Sequence, residues 1–135
     1  MLAIVWLISL PGCDFSEQPE EPPPSMSKEA VATREAPPEL VFRGELAGKP
    51  TYLLVNDCEV FQVEPQSDGG VKWTSVLEPD FYPLWTTCIR QSLKVEKGVL
   101  TVELGRQAFA AGGCCATGGR YRSTDGVNWK QTTPW

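Results

Sequence analysis

Two adjacent cysteines, Cys114 and Cys115, stand between two pairs of glycines in the stretch GGCCATGG, residues 112–119. Cysteine thiolates can bind metal ions or exchange disulfides, and glycine-rich loops can hold phosphate. Zinc sites made of four cysteines usually use spaced pairs such as Cys-x-x-Cys, and Gly119 occupies the position where a phosphate-binding loop requires lysine. A phosphate site is therefore excluded. A thiol-redox or metal-binding function through Cys114 and Cys115 is kept as one alternative.

The chain contains no histidine. This removes histidine-based metal sites and the usual general base of serine and cysteine nucleophiles. The carboxylates of Glu78 and Asp80 flank a proline, a pattern more typical of a solvated turn than of a pair of catalytic acids. We therefore predict a protein that is not an enzyme, has no catalytic residues, metal or cofactor, and acts by binding.

The N-terminal residues 1–12, MLAIVWLISLPG, form an apolar run that is shorter than the ~20 residues of a membrane-spanning helix. The run ends in Leu10-Pro11-Gly12-Cys13, which resembles the lipobox of bacterial lipoproteins. The resemblance implies that residues 1–12 are a removed signal peptide and that Cys13 is acylated. It implies a lipid-anchored protein of the bacterial cell envelope that faces the periplasm or the cell surface, with the choice of inner or outer membrane left open.

Residues 13–39 hold the predicted lipidated cysteine and a tether. The segment from Asp14 to Glu39 contains six prolines, seven acidic residues and two basic ones. Such a composition buries too little apolar surface to offset chain entropy, so we predict disorder. Residues 40–135 contain ten acidic and ten basic residues, and this balance gives no support for a nucleic-acid partner.

Residues 40–135 read as one all-β domain. Leu40–Leu46 and Thr51–Val55 flank a turn at 47–50, and Leu93–Leu104 alternates apolar and polar residues on either side of Lys97-Gly98. Alternation of this kind is typical of antiparallel strands with one buried face. We predict a small antiparallel sandwich or barrel that is cross-linked by disulfides.

Four cysteines remain for this domain: Cys58, Cys88, Cys114 and Cys115. An even number in an exported domain predicts two disulfides, with three possible connectivities. Neighbouring Cα atoms lie ~3.8 Å apart, whereas ordinary disulfides need ~4.4–6.8 Å, so a bond within the adjacent pair is disfavoured. We expect each adjacent cysteine to pair with a distant one, in an order that stays open.

The stretch Ser123–Trp129, STDGVNW, resembles the Asp-box, or BNR repeat, of sialidases and bacterial envelope propellers. In that hairpin an aspartate binds turn amides, a glycine adopts a left-handed conformation and a tryptophan packs beneath. Ser67–Trp73, SDGGVKW, repeats the pattern with a glycine in the position of the aspartate. The resemblance implies a structural role for Ser123, Asp125, Gly126, Trp129, Ser67, Gly70 and Trp73.

A second resemblance covers Thr117–Tyr121, TGGRY, followed by Trp129-Lys130. These residues are similar to a loop and a strand of the membrane-bound inhibitors of C-type lysozyme, which are small β-barrel lipoproteins. The resemblance implies that Thr117, Arg120 and Tyr121 form a loop that enters the lysozyme cleft. A lysozyme inhibitor is therefore a second alternative function.

The run Phe81-Tyr82-Pro83-Leu84-Trp85 is bulkier than a surface loop requires. Phe81, Tyr82 and Trp85 either form an exposed contact patch or cap the small core, and the sequence leaves both alternatives open. The main prediction is a membrane-anchored envelope lipoprotein with a non-catalytic binding domain. Its expected partner is another envelope protein or a carbohydrate, or lysozyme in the alternative.

Overall fold

The computed structural model describes residues 26–109 and 112–135, which form two helical segments and eight β-strands. The predicted signal peptide and Cys13 lie outside the described residues. The helical segments are α1 (Lys28–Glu35) and a 3-10 turn (Pro38–Leu40). The strands are β1 (Val41–Leu46), β2 (Lys49–Asn56), β3 (Glu59–Pro65), β4 (Val71–Leu77), β5 (Thr86–Glu96), β6 (Val99–Ala108), β7 (Thr117–Ser123) and β8 (Lys130–Pro134).

The strands form two antiparallel sheets of four, in the orders β1-β2-β3-β4 and β5-β6-β7-β8. Within each sheet every strand pairs with the next one along the chain, whereas the β4–β5 loop crosses from the first sheet to the second. The turn predicted at 47–50 joins β1 to β2, although Lys49 and Pro50 already belong to β2, and the turn predicted at Lys97-Gly98 joins β5 to β6. The prediction of an all-β antiparallel fold is confirmed.

One apolar core lies between the two sheets, so the domain is a sandwich rather than a barrel. The alternating pattern of each strand supplies the inward side chains, and the 3-10 turn adds Leu40. The most deeply buried of these side chains come from both sheets: Leu53, Val55, Val60, Leu100, Val102 and Leu104.

Helix α1 corrects the prediction of a disordered segment through residue 39. The Ser27 hydroxyl caps the helix by accepting a hydrogen bond from Ala30 N at 3.1 Å. Ala30 is buried, and Thr33 Oγ1 accepts a bond from Trp73 Nε1 in β4 at 2.9 Å. Averaging the composition over the Pro- and Glu-rich segment concealed this short stretch of helix-forming residues. Within the part of the chain that the structure describes, no helix is long and apolar enough to cross a membrane.

The turns of the sandwich fall at two opposite ends. One end carries the β1–β2 and β5–β6 turns. The turn after β7 also lies there, because a Cβ added at Gly126 would stand 3.4 Å from Thr51 Cγ2 and 3.5 Å from Leu46 Cδ1, on either side of the β1–β2 turn. The opposite end carries the β2–β3 turn, the β4–β5 loop and the end of β6, where Arg106 Nη2 lies 3.4 Å from Asp57 Oδ2. The candidate site occupies this second end.

Candidate functional site

Four large apolar side chains project into solvent at the second end of the sandwich. Their exposed fractions are 90% for Phe81, 62% for Leu84, 89% for Trp85 and 83% for Phe109. The first three belong to the β4–β5 loop, and Phe109 directly follows β6. We call these four residues the aromatic patch. Exposed apolar groups of this size in one place mark interaction surfaces more often than isolated ones do.

The backbone at both ends of the β4–β5 loop is held by hydrogen bonds. Phe109 N donates to Trp85 O at 2.8 Å, which continues the β5–β6 ladder by one step. Thr117 Oγ1 donates to Asp80 O at 2.7 Å and ties the start of the loop to β7. The side chains are thus presented from an anchored backbone, which lowers the entropy that a partner must remove on binding.

The exposure of Phe81 and Trp85 decides between the two alternatives that the sequence left open. These rings do not cap the core, whereas Tyr82 is half-buried. The sequence reasoning did not include Leu84 and Phe109 among the binding residues. Phe109 follows the alternating pattern of β6, and only the pairing of β5 with β6 brings it beside Trp85.

Beside the patch, a cleft of about 320 Å³ is lined by the carboxylate residues Glu59, Glu78 and Asp80 and by the ring of Phe81. Glu78 and Asp80 are exposed and Glu59 is half-buried. Arg106 also lines the cleft, and its guanidinium binds both the backbone carbonyl and the carboxylate of Asp57. Apolar and acidic groups therefore share one concave surface.

The disulfides differ from the predicted pairing. Cys58, after β2, bonds to Cys88 in β5, with Cα atoms 5.5 Å apart, and Cys114 bonds to Cys115. The prediction that each adjacent cysteine takes a distant partner is wrong, because the two sheets bring Cys58 and Cys88 opposite each other. The Cα atoms of Cys114 and Cys115 are 3.0 Å apart.

The Cys114–Cys115 disulfide lies against β6 at Gly105. A Cβ on Gly105 would stand 2.5 Å from Cys115 Sγ and 3.3 Å from Cys114 Sγ, so only glycine leaves room for the sulfur atoms. Cys114 is exposed and Cys115 half-buried. Within residues 26–109 and 112–135, no group of three or more cysteine or carboxylate residues is arranged to hold a metal ion.

The Ser123–Trp129 turn is closed by one carboxylate. Asp125 Oδ1 accepts hydrogen bonds from Val127 N at 2.9 Å and Asn128 N at 2.8 Å, and Asp125 Oδ2 accepts one from Asn128 Nδ2. Ser123 Oγ accepts from Gly126 N, and Gly126 has φ +77°. Bonds from the Asn128 side chain and from the Asn128 and Val127 amides hold the pKa of the Asp125 carboxyl far below its ordinary value.

Trp129 packs against the core beneath this turn. Its Nε1 is buried and has no hydrogen-bond partner among the described residues. The turn lies at the end of the sandwich opposite the aromatic patch. Its residues therefore organise the chain reversal between β7 and β8 and do not contribute to the candidate site.

The Ser67–Trp73 turn has a different geometry from its sequence counterpart. Asp68 Oδ1 accepts from Gly70 N at 2.8 Å, and the left-handed residue is Gly69 rather than Gly70, the position that matches Gly126. Trp73 packs on Phe61, with ring centroids 4.6 Å apart, and binds helix α1 through Thr33. In this turn the amide-binding carboxylate and the left-handed glycine therefore both lie one position earlier than in the Ser123–Trp129 turn.

Thr117, Arg120 and Tyr121 do not form a loop. They belong to β7, which pairs with β6 on one side and β8 on the other. Tyr121 is 6% exposed within the core, where burial, and secondly the charge of Asp80, raise the pKa of its hydroxyl. Arg120 points outward and binds Glu103 Oε1 through Nε at 2.9 Å. The expectation of a protruding lysozyme-binding loop at these residues is therefore corrected.

Comparison with known proteins finds no matching family model, no similar curated protein and no similar solved structure.

We expect the free energy of unfolding of Asp125→Asn to change less with pH than that of the natural chain. The pKa of Asp125 is lower in the folded chain than its ordinary value of 3.8. The stability it contributes is therefore present above about pH 4 and is lost as the pH falls towards the folded pKa. The urea midpoint of the variant should lie below that of the natural chain at pH 7, and the difference should shrink between about pH 5 and pH 2.

The matched control for this measurement is Asp68→Asn in the other tryptophan turn, where the carboxylate accepts from a single backbone amide. Its effect on the urea midpoint should be smaller than that of Asp125→Asn at pH 7. A difference between Asp125→Asn and the natural chain that stays constant across the pH range would contradict the assignment.

We expect the two disulfides to be reduced in a fixed order. Thiol exchange requires access to sulfur, and Cys114 is exposed whereas Cys58 is 0% exposed in the core. Increasing reductant, followed by alkylation and peptide mass measurement, should label Cys114 and Cys115 before Cys58 and Cys88. Labelling of either adjacent cysteine without reductant would contradict the Cys114–Cys115 bond.

Proposed function

We propose that this chain is a membrane-anchored lipoprotein of the bacterial cell envelope whose β-sandwich binds a partner without catalysis, through the aromatic patch. The observation that carries the binding function is the exposure of Phe81, Leu84, Trp85 and Phe109 at one end of the sandwich. Burial of one such side chain in an interface contributes about 1.5–3 kcal/mol. Four of them supply a large part of the free energy of a specific complex, even after the entropy cost of association.

Two features of the patch support a binding role over a structural one. The domain already has a continuous core that includes residues of both sheets and does not include the four patch residues. The backbone behind the patch is held by the Phe109–Trp85 and Thr117–Asp80 hydrogen bonds. An anchored loop that presents rings to solvent resembles the aromatic centres of protein interfaces, where tryptophan and phenylalanine are enriched.

The anchor in this proposal comes from the lipobox-like stretch Leu10-Pro11-Gly12-Cys13. Acylation of Cys13 would hold the protein to a membrane without a spanning helix, since two acyl chains anchor firmly where one is marginal. The predicted location in the cell envelope agrees with the Cys58–Cys88 disulfide of the domain, because disulfides form in oxidising compartments such as the periplasm.

The anchor is tested by expressing the full chain and its Cys13→Ser variant in a bacterium. The natural chain should sediment with the membrane fraction and yield an acylated N-terminal peptide that begins at Cys13. The variant should lose the acyl mass and most of its membrane association, because the lipid is the attachment. Recovery of an intact peptide beginning at Met1, or an unmodified Cys13, would contradict the proposal.

The binding surface is tested by site-specific photo-cross-linking in cells, with p-benzoylphenylalanine placed at position 85 of the full chain. We expect discrete cross-linked products, because Trp85 would lie against the partner. The matched control is the same probe at position 127, since Val127 is an exposed apolar residue at the opposite end of the sandwich. Absence of products at 85, or identical products at 85 and 127, would contradict the role of the patch.

A further inference from the structure

The charges around the aromatic patch are distributed unevenly. Between Trp73 and Ile89 the chain has two carboxylates, Glu78 and Asp80, and no lysine or arginine. The stretch 107–119, which contains Phe109 in the sequence, has no charged residue at all. The domain as a whole carries equal numbers of acidic and basic residues, so the excess of negative charge is local.

The β2–β3 turn adds acidic groups to the same end of the sandwich. Glu59 lines the cleft together with Glu78, Asp80 and Phe81. Arg106 is the only basic residue among the described ones that line this cleft, and Asp57 binds its guanidinium. Arg90, in the neighbouring strand, has its guanidinium over the Trp135 ring, 4.7 Å from the centroid. The cleft therefore keeps a net negative charge beside exposed aromatic rings.

A lysine or arginine side chain is complementary to this combination. Its charge would pair with the carboxylates of Glu78 and Asp80, and its cation would lie on the face of an aromatic ring. The cleft has a volume of about 320 Å³, which is large enough to admit such a side chain. Apolar residues next to that cation would cover Leu84, Trp85 and Phe109.

The same charges disfavour two other occupants. A second copy of this chain, joined patch to patch, would bring two sets of carboxylates together, and like charges across an interface weaken association. Aromatic rings alone suit a membrane interface, but a bilayer rich in anionic lipid would repel the carboxylates of the cleft.

We propose that the aromatic patch and its acidic cleft bind a basic segment of a partner protein, in which lysine or arginine residues alternate with apolar ones. This inference rests on the proposed function and adds the chemistry of the partner. The rings supply the contact area, and the carboxylates of Glu59, Glu78 and Asp80 select the sign of the partner's charge.

The test uses the full chain reconstituted in phosphatidylcholine vesicles, which carry no net charge. The probes are two fluorescein-labelled twelve-residue peptides that alternate Lys with Leu or Glu with Leu, and the measurement is the amount of peptide that floats with the vesicles above that of empty vesicles. The Lys-Leu peptide should bind, the Glu-Leu peptide should not, and salt should weaken the binding because exposed charges are screened.

Two double variants distinguish the effect on peptide binding of charge at the cleft from the effect of charge elsewhere on the domain. Glu78→Gln with Asp80→Asn should weaken binding of the Lys-Leu peptide about fivefold. The matched control, Glu45→Gln with Glu96→Gln, removes the same charge from exposed residues at the opposite end of the sandwich and should leave binding unchanged. Trp85→Ala should abolish most of the binding, since it removes the largest ring of the patch.

The outcomes distinguish this inference from the proposed function. Equal binding of both peptides, lost in Trp85→Ala, would overturn the charge selectivity and leave the patch as a binding surface. Cross-links from position 85 to a second copy of the chain would overturn the basic partner in favour of self-association. A blue shift of the tryptophan fluorescence on phosphatidylglycerol vesicles that is lost in Trp85→Phe and absent on phosphatidylcholine would overturn it in favour of the membrane, because the chain has five tryptophans. No peptide binding, together with no cross-links from position 85, would overturn both proposals.

Discussion

The Cys58–Cys88 disulfide joins the two sheets at the end of the sandwich that carries the aromatic patch. Cys58 follows β2 in the first sheet and Cys88 lies in β5 of the second, 30 residues further along the chain. Closing a loop of that length lowers the entropy of the unfolded chain and stabilises the fold by about 3–4 kcal/mol. The Gln91 side chain reinforces the junction by accepting a hydrogen bond from Cys58 N at 3.0 Å. The β4–β5 loop, which crosses from one sheet to the other, is anchored beside this bond.

The opposite end of the sandwich depends on hydrogen bonds instead of a covalent link. There Asp125 holds two backbone amides and one side-chain amide, and Gly126 adopts a left-handed φ of +77° that favours glycine. Trp129 packs beneath the turn against the core. One end is therefore closed by short-range polar contacts, while the other is fastened by a disulfide and leaves its aromatic side chains in solvent. The exposed rings at one end are the reason that we propose a binding surface at that end only.

Much of the fold could be read from the pattern of residues. Alternation in Leu93–Leu104 and the turn residues Lys97-Gly98 are local signals, and adjacent strands joined by short turns pair with each other. Helix α1 was missed because its signal is short and lies inside a segment whose average composition favours disorder, and because its position depends on Trp73, 40 residues away. The prediction that TGGRY forms an exposed loop was wrong for a similar reason. Pairing with β6 and β8 places Tyr121 in the core, and a five-residue motif does not report its neighbours in space.

The sequence by itself determined the all-β class, the main hairpins, and the composition of the β4–β5 loop with its rings and two carboxylates. These features depend on residue type and on periodicity over a few positions, so residues close together in the sequence determine them. The tertiary structure decided which cysteines pair, which aromatic side chains reach solvent, and that Phe109 and Glu59 join the loop from other elements. Such choices depend on the approach of segments far apart in the chain. The packing of the two sheets over their common core determines which distant segments come together, and no single stretch of residues specifies that packing.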